Sequence, residues 1–332
     1  MSKLQHPLIS VVVPAYNAET FIAATLQSIV DQTYPEIEVV VVDDGSSDGT
    51  ADVATKVIGD ALPVKVFRAV NGGQNAARNI GLALATGDYV KFLDHDDILP
   101  PWAISTQVEL IRSTGQEIVV GGIERFAHDD ASNFLSSRPR EAPPASGPET
   151  EIPTLAACET LHPTFNEILI KRDLVVCAGG FNAALGTCEE LNLLGRIYLQ
   201  NRKATIAYQE SPVVLYKRCM DWSLGAHYSA RSASHVNWSL ICRTDLAKEI
   251  LVSKQGVDEH LRRIVLDPLY TVATFSYRNG LRGHALSALE AWRACGVQRP
   301  KLNSPIHENL HMVFGFELAE RLLDAARKIL RR

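Results

Sequence analysis

The feature that most constrains this chain is the alternation, over roughly its first 125 residues, of short β-branched runs with stretches of helical spacing. The runs at 8–13, 37–42, 64–67, 89–93 and 118–120 read as buried strands, and 20–30, 48–58, 75–85 and 102–112 place apolar residues at helical intervals. Successive βαβ units of this kind build a doubly wound α/β domain, a mostly parallel sheet flanked by helices. Ligands of such sheets bind beyond the carboxyl ends of the strands, so the residues that end each run carry the most information. Here those ends are unusually polar.

The pattern lapses over 127–155, where five prolines and many small or acidic residues predict a long surface loop. Order returns with a strand expected at 164–170, a Gly179-Gly180-Phe181 turn, a helix at 190–200 and strands at 205–208 and 213–216. From 225 to 332 the spacing is helical, with breaks near Gly256, Gly280 and Pro300. The expected division is one α/β domain over 1–222 and a helical region over 223–332.

Bulk properties narrow the function. A net charge of −5 offers no broad positive field to a nucleic-acid backbone, so no nucleic-acid partner is expected. The six cysteines form no CxxC pair and no zinc-like spacing, which reads as free thiols in a reducing cytoplasm. No run of 18 apolar residues occurs, so membrane contact can only be peripheral. An apolar stripe over 316–330, with Arg327, Lys328, Arg331 and Arg332 at its end, would suit such contact; a core-packed last helix with cations at its dipole's negative end is the plainer reading.

Two strand ends carry chemistry. The run Val41-Val42 enters Asp43-Asp44-Gly45-Ser46-Ser47-Asp48; Ser47 or Asp48 can cap the next helix, but capping has no need of Asp43 and Asp44. A carboxylate at a strand end can accept hydrogen bonds from a base or a ribose. The run 89–93 enters Asp94-His95-Asp96-Asp97, three carboxylates in four residues. Two unit charges ~4 Å apart repel by ~4 kcal/mol at an effective dielectric of ~20, so converging carboxylates call for a cation or a shared proton. Hard oxygen ligands suit Mg2+ or Mn2+, which complete their shells with water and substrate phosphates. A solvated turn whose acids splay apart is the bland alternative, and Asp97 can be doing only that. Strand alternation points His95 away from Asp94 and Asp96. Gly72-Gly73 precedes a helix whose first turns carry Arg78, within reach of a nucleotide or simply solvated. Neither a P-loop nor a GxGxxG element is present.

Four blocks in order, Ser10-Val11-Val12-Val13-Pro14-Ala15-Tyr16-Asn17, Asp43-Asp44-Gly45-Ser46, Ala76-Ala77-Arg78-Asn79 and Phe92-Leu93-Asp94-His95-Asp96-Asp97, resemble the family 2 glycosyltransferases of the GT-A fold. The resemblance runs from about residue 8 to about 220. It implies an inverting, metal-dependent enzyme that moves a sugar from a nucleoside-diphospho-sugar, UDP-linked in most of the family, to a hydroxyl of a glycan or glycolipid. By it, Pro14, Ala15, Tyr16, Asp43 or Asp44, and Arg78 hold the nucleotide, while Asp94 and Asp96 form the DxD element for Mn2+ or Mg2+ and the diphosphate.

Gly179-Gly180-Phe181-Asn182 and Cys188-Glu189-Glu190-Leu191-Asn192 resemble the family's later blocks, with Asn182, Glu190 and Asn192 where acids or aspartates are commoner. Glu190 matches the catalytic base, and Glu189 stands as its substitute. Val214-Leu215-Tyr216-Lys217-Arg218 resembles an acceptor-side segment; the QxxRW signature of processive synthases is absent, which implies single additions. Two alternatives stand beside this reading, a sugar nucleotidyltransferase and a non-catalytic nucleotide-sugar-binding module.

Overall fold

The computed structural model describes residues 6–59, 61–126, 150–161, 163–217, 233–253, 255–278 and 280–297, together with 311, 316, 318–321 and 323. The chain divides into two compact units, 1–226 and 227–332. The expected boundary at 222/223 lies outside the described residues.

The first unit opens with β1 (Ile9–Ala15), α1 (Ile22–Val30), β2 (Ile37–Asp43), α2 (Thr50–Ile58), β3 (Val64–Arg68), α3 (Gln74–Leu84), β4 (Tyr89–Phe92), α4 (Ala103–Thr114) and β5 (Ile118–Phe126). Strand β1 is buried along its whole length because both faces of the sheet are covered. Ile9, Val11 and Val13 join one core with Ile22 and Leu26 of α1 and Ile104 and Val108 of α4. Val12, Val40 and Val42 point the other way, into a second core with Ala77 and Leu82 of α3. Helix α3 approaches β1 so closely that a Cβ on Gly81 would lie 2.2 Å from Val12 Cγ1. An alanine there overpacks the layer, at a cost of ~1–3 kcal/mol.

The remaining elements are β6 (Thr150–Pro153), α5 (Thr154–Thr160), a 3-10 turn (Phe165–Glu167), β7 (Ile168–Lys171), α6 (Arg172–Cys177), α7 (Glu189–Gln200) and β8 (Thr205–Lys217). The eight strands form one sheet in the order β3-β2-β1-β4-β7-β5-β8-β6. Strands β3, β2, β1 and β4 are parallel neighbours, as the βαβ pattern requires, and β8 runs parallel to β5. Strand β7 is antiparallel to both β4 and β5, and β6 is antiparallel to β8, so the sheet is mixed.

Several local expectations change. The strand expected at 164–170 begins as the 3-10 turn, because Thr164 and Glu167 form a capping box that closes it. The strands expected at 205–208 and 213–216 are one strand, β8, whose pairing with β5 absorbs register shifts around Gly122. Part of the expected loop, 150–155, is β6 and the start of α5; its residues 127–149 lie outside the described set.

The second unit is helical in its described residues: α8 (Ala233–Ser253), α9 (Glu259–Leu261), a π turn (Arg262–Leu266), α10 (Asp267–Arg278) and α11 (Arg282–Ala294). The breaks expected at Gly256 and Gly280 fall between helices, with φ of 75° and 90°, a conformation that glycine adopts at no steric cost. Tyr270, Trp292 and Phe316 pack in its core, and the break at Pro300 lies outside the described residues. Among the described residues no helix is long and apolar enough to cross a membrane. Of the terminal stripe, Phe316 and Ala319 are buried, while its four cations lie outside the described residues.

Candidate active site

The polar strand ends converge on one edge of the sheet. Strand β2 ends at Asp43, whose Oδ1 accepts from the Ser46 amide at 3.0 Å and whose Oδ2 lies 3.7 Å from Arg68 Nε. Asp44 is buried and accepts from the Gly72 and Gly73 amides at 2.8 Å each, tying the β2 end to the turn that opens α3. Gly73 has φ of 87°, so the turn there favours glycine. Beside them Pro14 and Ala15 end β1, the Ala15 carbonyl accepts from the Asp44 amide at 2.8 Å, and the Tyr16 side chain is exposed. His95 turns back toward β1, its Nδ1 3.3 Å from the Pro14 carbonyl.

Arg78 lies at the centre of the second group. It is only 3% exposed, and its guanidinium lies 5.6 and 5.4 Å from the ring centres of Phe165 and Phe181. Its Nη1 donates to Glu189 Oε1 at 3.0 Å and to Asn75 Oδ1 at 3.2 Å, and its Nη2 donates to Asp94 Oδ1 at 3.0 Å. Burial favours the neutral form, but the charges of Asp94, Glu189 and Glu190 outweigh it and hold the guanidinium above its ordinary pKa. One arginine therefore joins the first acid after β4 to the first residue of α7.

The amino end of α7 is set by the Gly179-Gly180-Phe181 turn. The Phe181 amide donates to Asn79 Oδ1 at 2.7 Å, and a Cβ on Gly180, whose φ is 70°, would fall 2.5 Å from that same oxygen. Arg196 Nη2 donates to the Gly180 carbonyl at 2.6 Å, and Arg196 Nε donates to Asn192 Oδ1 at 3.1 Å. Asn192 thus braces the turn, and Asn182 Oδ1 accepts from the Ala184 amide at 2.9 Å. Glu190 is partly buried, and burial first, then the charges of Glu189 and Asp94, push its carboxyl up to about 8 against the opposing pull of Arg78. Both glutamates stand in the first turn of α7, where the helix dipole favours anions.

Asn166 and Lys91 are among the residues of this site that escaped the sequence reading. Asn166, buried in the 3-10 turn, accepts from the Asp94 amide at 2.9 Å and donates through Nδ2 to Asp94 Oδ2 at 3.1 Å and to Asp97 Oδ2. Lys91, wholly buried in β4, donates through Nζ to the Asn166 carbonyl at 2.6 Å and to Gln107 Oε1 at 3.0 Å. Burial pushes the Lys91 amine down to about 7 despite the charge of Glu167. The Thr164-x-x-Glu167 spacing was legible as a capping box and could have marked the turn; nothing in the sequence ties it to Asp94.

Among the described residues no group of three or more His, Cys, Asp or Glu side chains could hold a metal ion by itself. That is compatible with a Mg2+- or Mn2+-type site, which takes one or two carboxylates and leaves the rest to water and phosphate. Asp94 accepts from Gln74 Nε2 at 2.6 Å, from Arg78 and from Asn166, and Asp96 is partly buried in the same turn. Of the segment 214–218, residues up to Lys217 lie in β8, with Arg218 outside the described residues.

The model for "Glycosyl transferase family 2" matches residues 10–182, just over half of the chain. An uncharacterized glycosyltransferase of Rickettsia conorii is 28% identical over 262 residues, 76% of this chain and 41% of that protein. A putative teichuronic acid biosynthesis glycosyltransferase of Bacillus subtilis, TuaG, is 37% identical over 125 residues, 37% of this chain and 49% of that protein. The chain thus spans less than half the length of these relatives. Among solved structures, residues 1–349 of TarS from S. aureus in complex with UDP superpose with a TM-score of 0.65 at 22% identity, covering 96% of this chain and 92% of that one. At that identity the likeness speaks for the fold, an eight-stranded GT-A sheet flanked by helices. The chain belongs to glycosyl transferase family 2.

Proposed function

We propose that the chain transfers a glycosyl group from a nucleoside-diphospho-sugar to an acceptor hydroxyl in a single inverting displacement. The observation that carries this is the Asp94–Arg78–Glu189 bridge, two 3.0 Å ion pairs that join the acid turn after β4 to the start of α7. A leaving-group site and a base then face one reacting centre, the arrangement an in-line displacement needs.

In this reading Pro14, Ala15, Tyr16, Asp43 and Asp44 hold the nucleotide at the β1 and β2 ends. Arg78 joins them from the start of α3, its Nη1 on Glu189 and Asn75 and its Nη2 on Asp94. Glu190 takes the proton from the acceptor hydroxyl as that oxygen attacks the anomeric carbon. The bond from that carbon to the diphosphate oxygen breaks on the opposite face, its electron pair leaving with the nucleotide, so an α-linked donor gives a β-linked product. Mn2+ or Mg2+ held by Asp96 with Asp94 would supply charge neutralisation to the departing diphosphate. The complexes of TarS with UDP and UDP-GlcNAc support UDP as the first nucleotide to test. The likeness to TuaG, a putative teichuronic acid biosynthesis glycosyltransferase, supports a glycan or glycolipid acceptor, reached by a cytoplasmic protein through peripheral membrane contact.

The test is incubation with UDP-, GDP- and dTDP-sugars plus Mn2+, followed by assay of released nucleoside diphosphate. Release supports a transferase; tight donor binding without release in the presence of candidate acceptors would point to a binding module. Pyrophosphate-dependent formation of nucleoside triphosphate would point to a nucleotidyltransferase.

A further inference from the structure

We propose that Asn166 is a positioning residue of the acid turn, one carboxamide setting the orientation of Asp94 and, through the Asp94–Asp97 turn, the aim of Asp96. The inference rests on the transferase reading above. Its Oδ1 accepts from the Asp94 amide, its Nδ2 reaches the carboxylates of Asp94 and Asp97, and the Asp97 amide closes the turn on the Asp94 carbonyl at 3.1 Å. Only asparagine or glutamine offers one acceptor and two donors on a planar end. Asn166 is held in turn by groups from two other elements. Lys91 grips its carbonyl at 2.6 Å, while Gln107 of α4 donates to the Glu167 carbonyl at 2.8 Å and accepts from Lys91. A lysine is costly to bury, and Lys91 is 0% exposed with both of these bonds spent on holding this turn. The chain from Lys91 through Asn166 thus reaches the acids from behind the strand.

Asn166→Ala and Lys91→Met test this, each compared with the natural protein for Mn2+ binding by electron paramagnetic resonance in the presence of UDP. A readout free of metal is hydrogen exchange at the Asp94 amide. Asn166→Ala should raise the half-saturating Mn2+ concentration about tenfold or more, as loss of an outer-shell partner does. It should also strip protection from the Asp94 amide while Val90 in β4 stays protected. Lys91→Met should show both effects in weaker form, and it decides the matter if Asn166→Ala fails to fold. Unchanged Asp94 protection in the folded variants overturns the inference. Lost protection together with Mn2+-independent turnover in the natural protein would retire the metal reading and leave Asn166 as a positioning residue.

Discussion

Two acid–cation clusters, one in each compact unit, each set an arginine against carboxylates and are balanced differently. In the helical unit Glu320 accepts from Arg278 Nη2 at 2.8 Å and pairs with His311 Nε2 at 2.7 Å, while His311 Nδ1 meets the Tyr270 hydroxyl at 2.7 Å. Burial works against the Glu320 carboxylate, but His311 and Arg278 more than offset it and hold the group down at about 2. At the candidate site the ratio is reversed. Among the described residues Arg78 is the cation paired with Asp94 and Glu189, Glu190 feels its charge through space, and Glu190 is left at about 8. A balanced cluster is complete when the chain folds; one with surplus acid still calls for a proton or an external cation.

The largest expected effect tests that surplus. Glu190→Gln should lower kcat by roughly 10²–10⁴-fold, the usual worth of a general base, with donor affinity by calorimetry nearly unchanged. Near-normal turnover would remove Glu190 from the mechanism. Asp96→Asn should abolish Mn2+-stimulated turnover, and full activity of that variant in EDTA would dismiss the metal altogether.

Stability separates the clusters next. Arg78→Met strands two acids and should cost about 3 kcal/mol in urea unfolding, whereas Glu189→Gln should cost less than 1 kcal/mol because it relieves crowding. In the balanced cluster the acid is the indispensable member: Glu320→Gln should cost ~2–3 kcal/mol. Equal losses for Glu189→Gln and Glu320→Gln would erase the distinction.

Smaller effects lie in pH. A base raised to about 8 works only when deprotonated, so kcat/KM should fall as pH drops through about 8. Glu189→Gln removes one of the charges that raise it and should move that limb to lower pH; an unmoved limb would assign it to another group. Glu320 is depressed from its ordinary 4.5 to about 2, so its stabilisation is full above 4.5 and lost as pH falls toward 2. Acid unfolding of Glu320→Gln should lack that steep component. Lys91 is depressed from 10.5 to about 7, so folding gains stability as pH rises between those values, a slope that Lys91→Met should flatten.

Much of the fold was legible because its signals are local. The runs at 8–13 and 37–42 are apolar on both faces but for Ser10 and Glu38, and such near-continuous runs suit the inside of a covered parallel sheet. The acids at 43–44 and 94–97 were legible because charged groups at the end of a buried strand need a purpose. Strand β7 was harder to place. Its direction follows from the return of the chain between β4 and β5, and four residues, Ile168–Lys171, read alike in either direction.

The sequence by itself determined the layered α/β architecture, the polar ends of its strands and the glycines at its turns, since each depends on periodicity or on a backbone conformation written within a few residues. Only the tertiary structure decided which acid meets which partner. Arg78 and Glu189 lie far apart in the chain, as do Lys91 and Asn166, and each pair meets only because β7 inserts beside β4 and α7 packs behind it. Charge balance, and with it the direction in which each carboxyl shifts, is a property of such meetings.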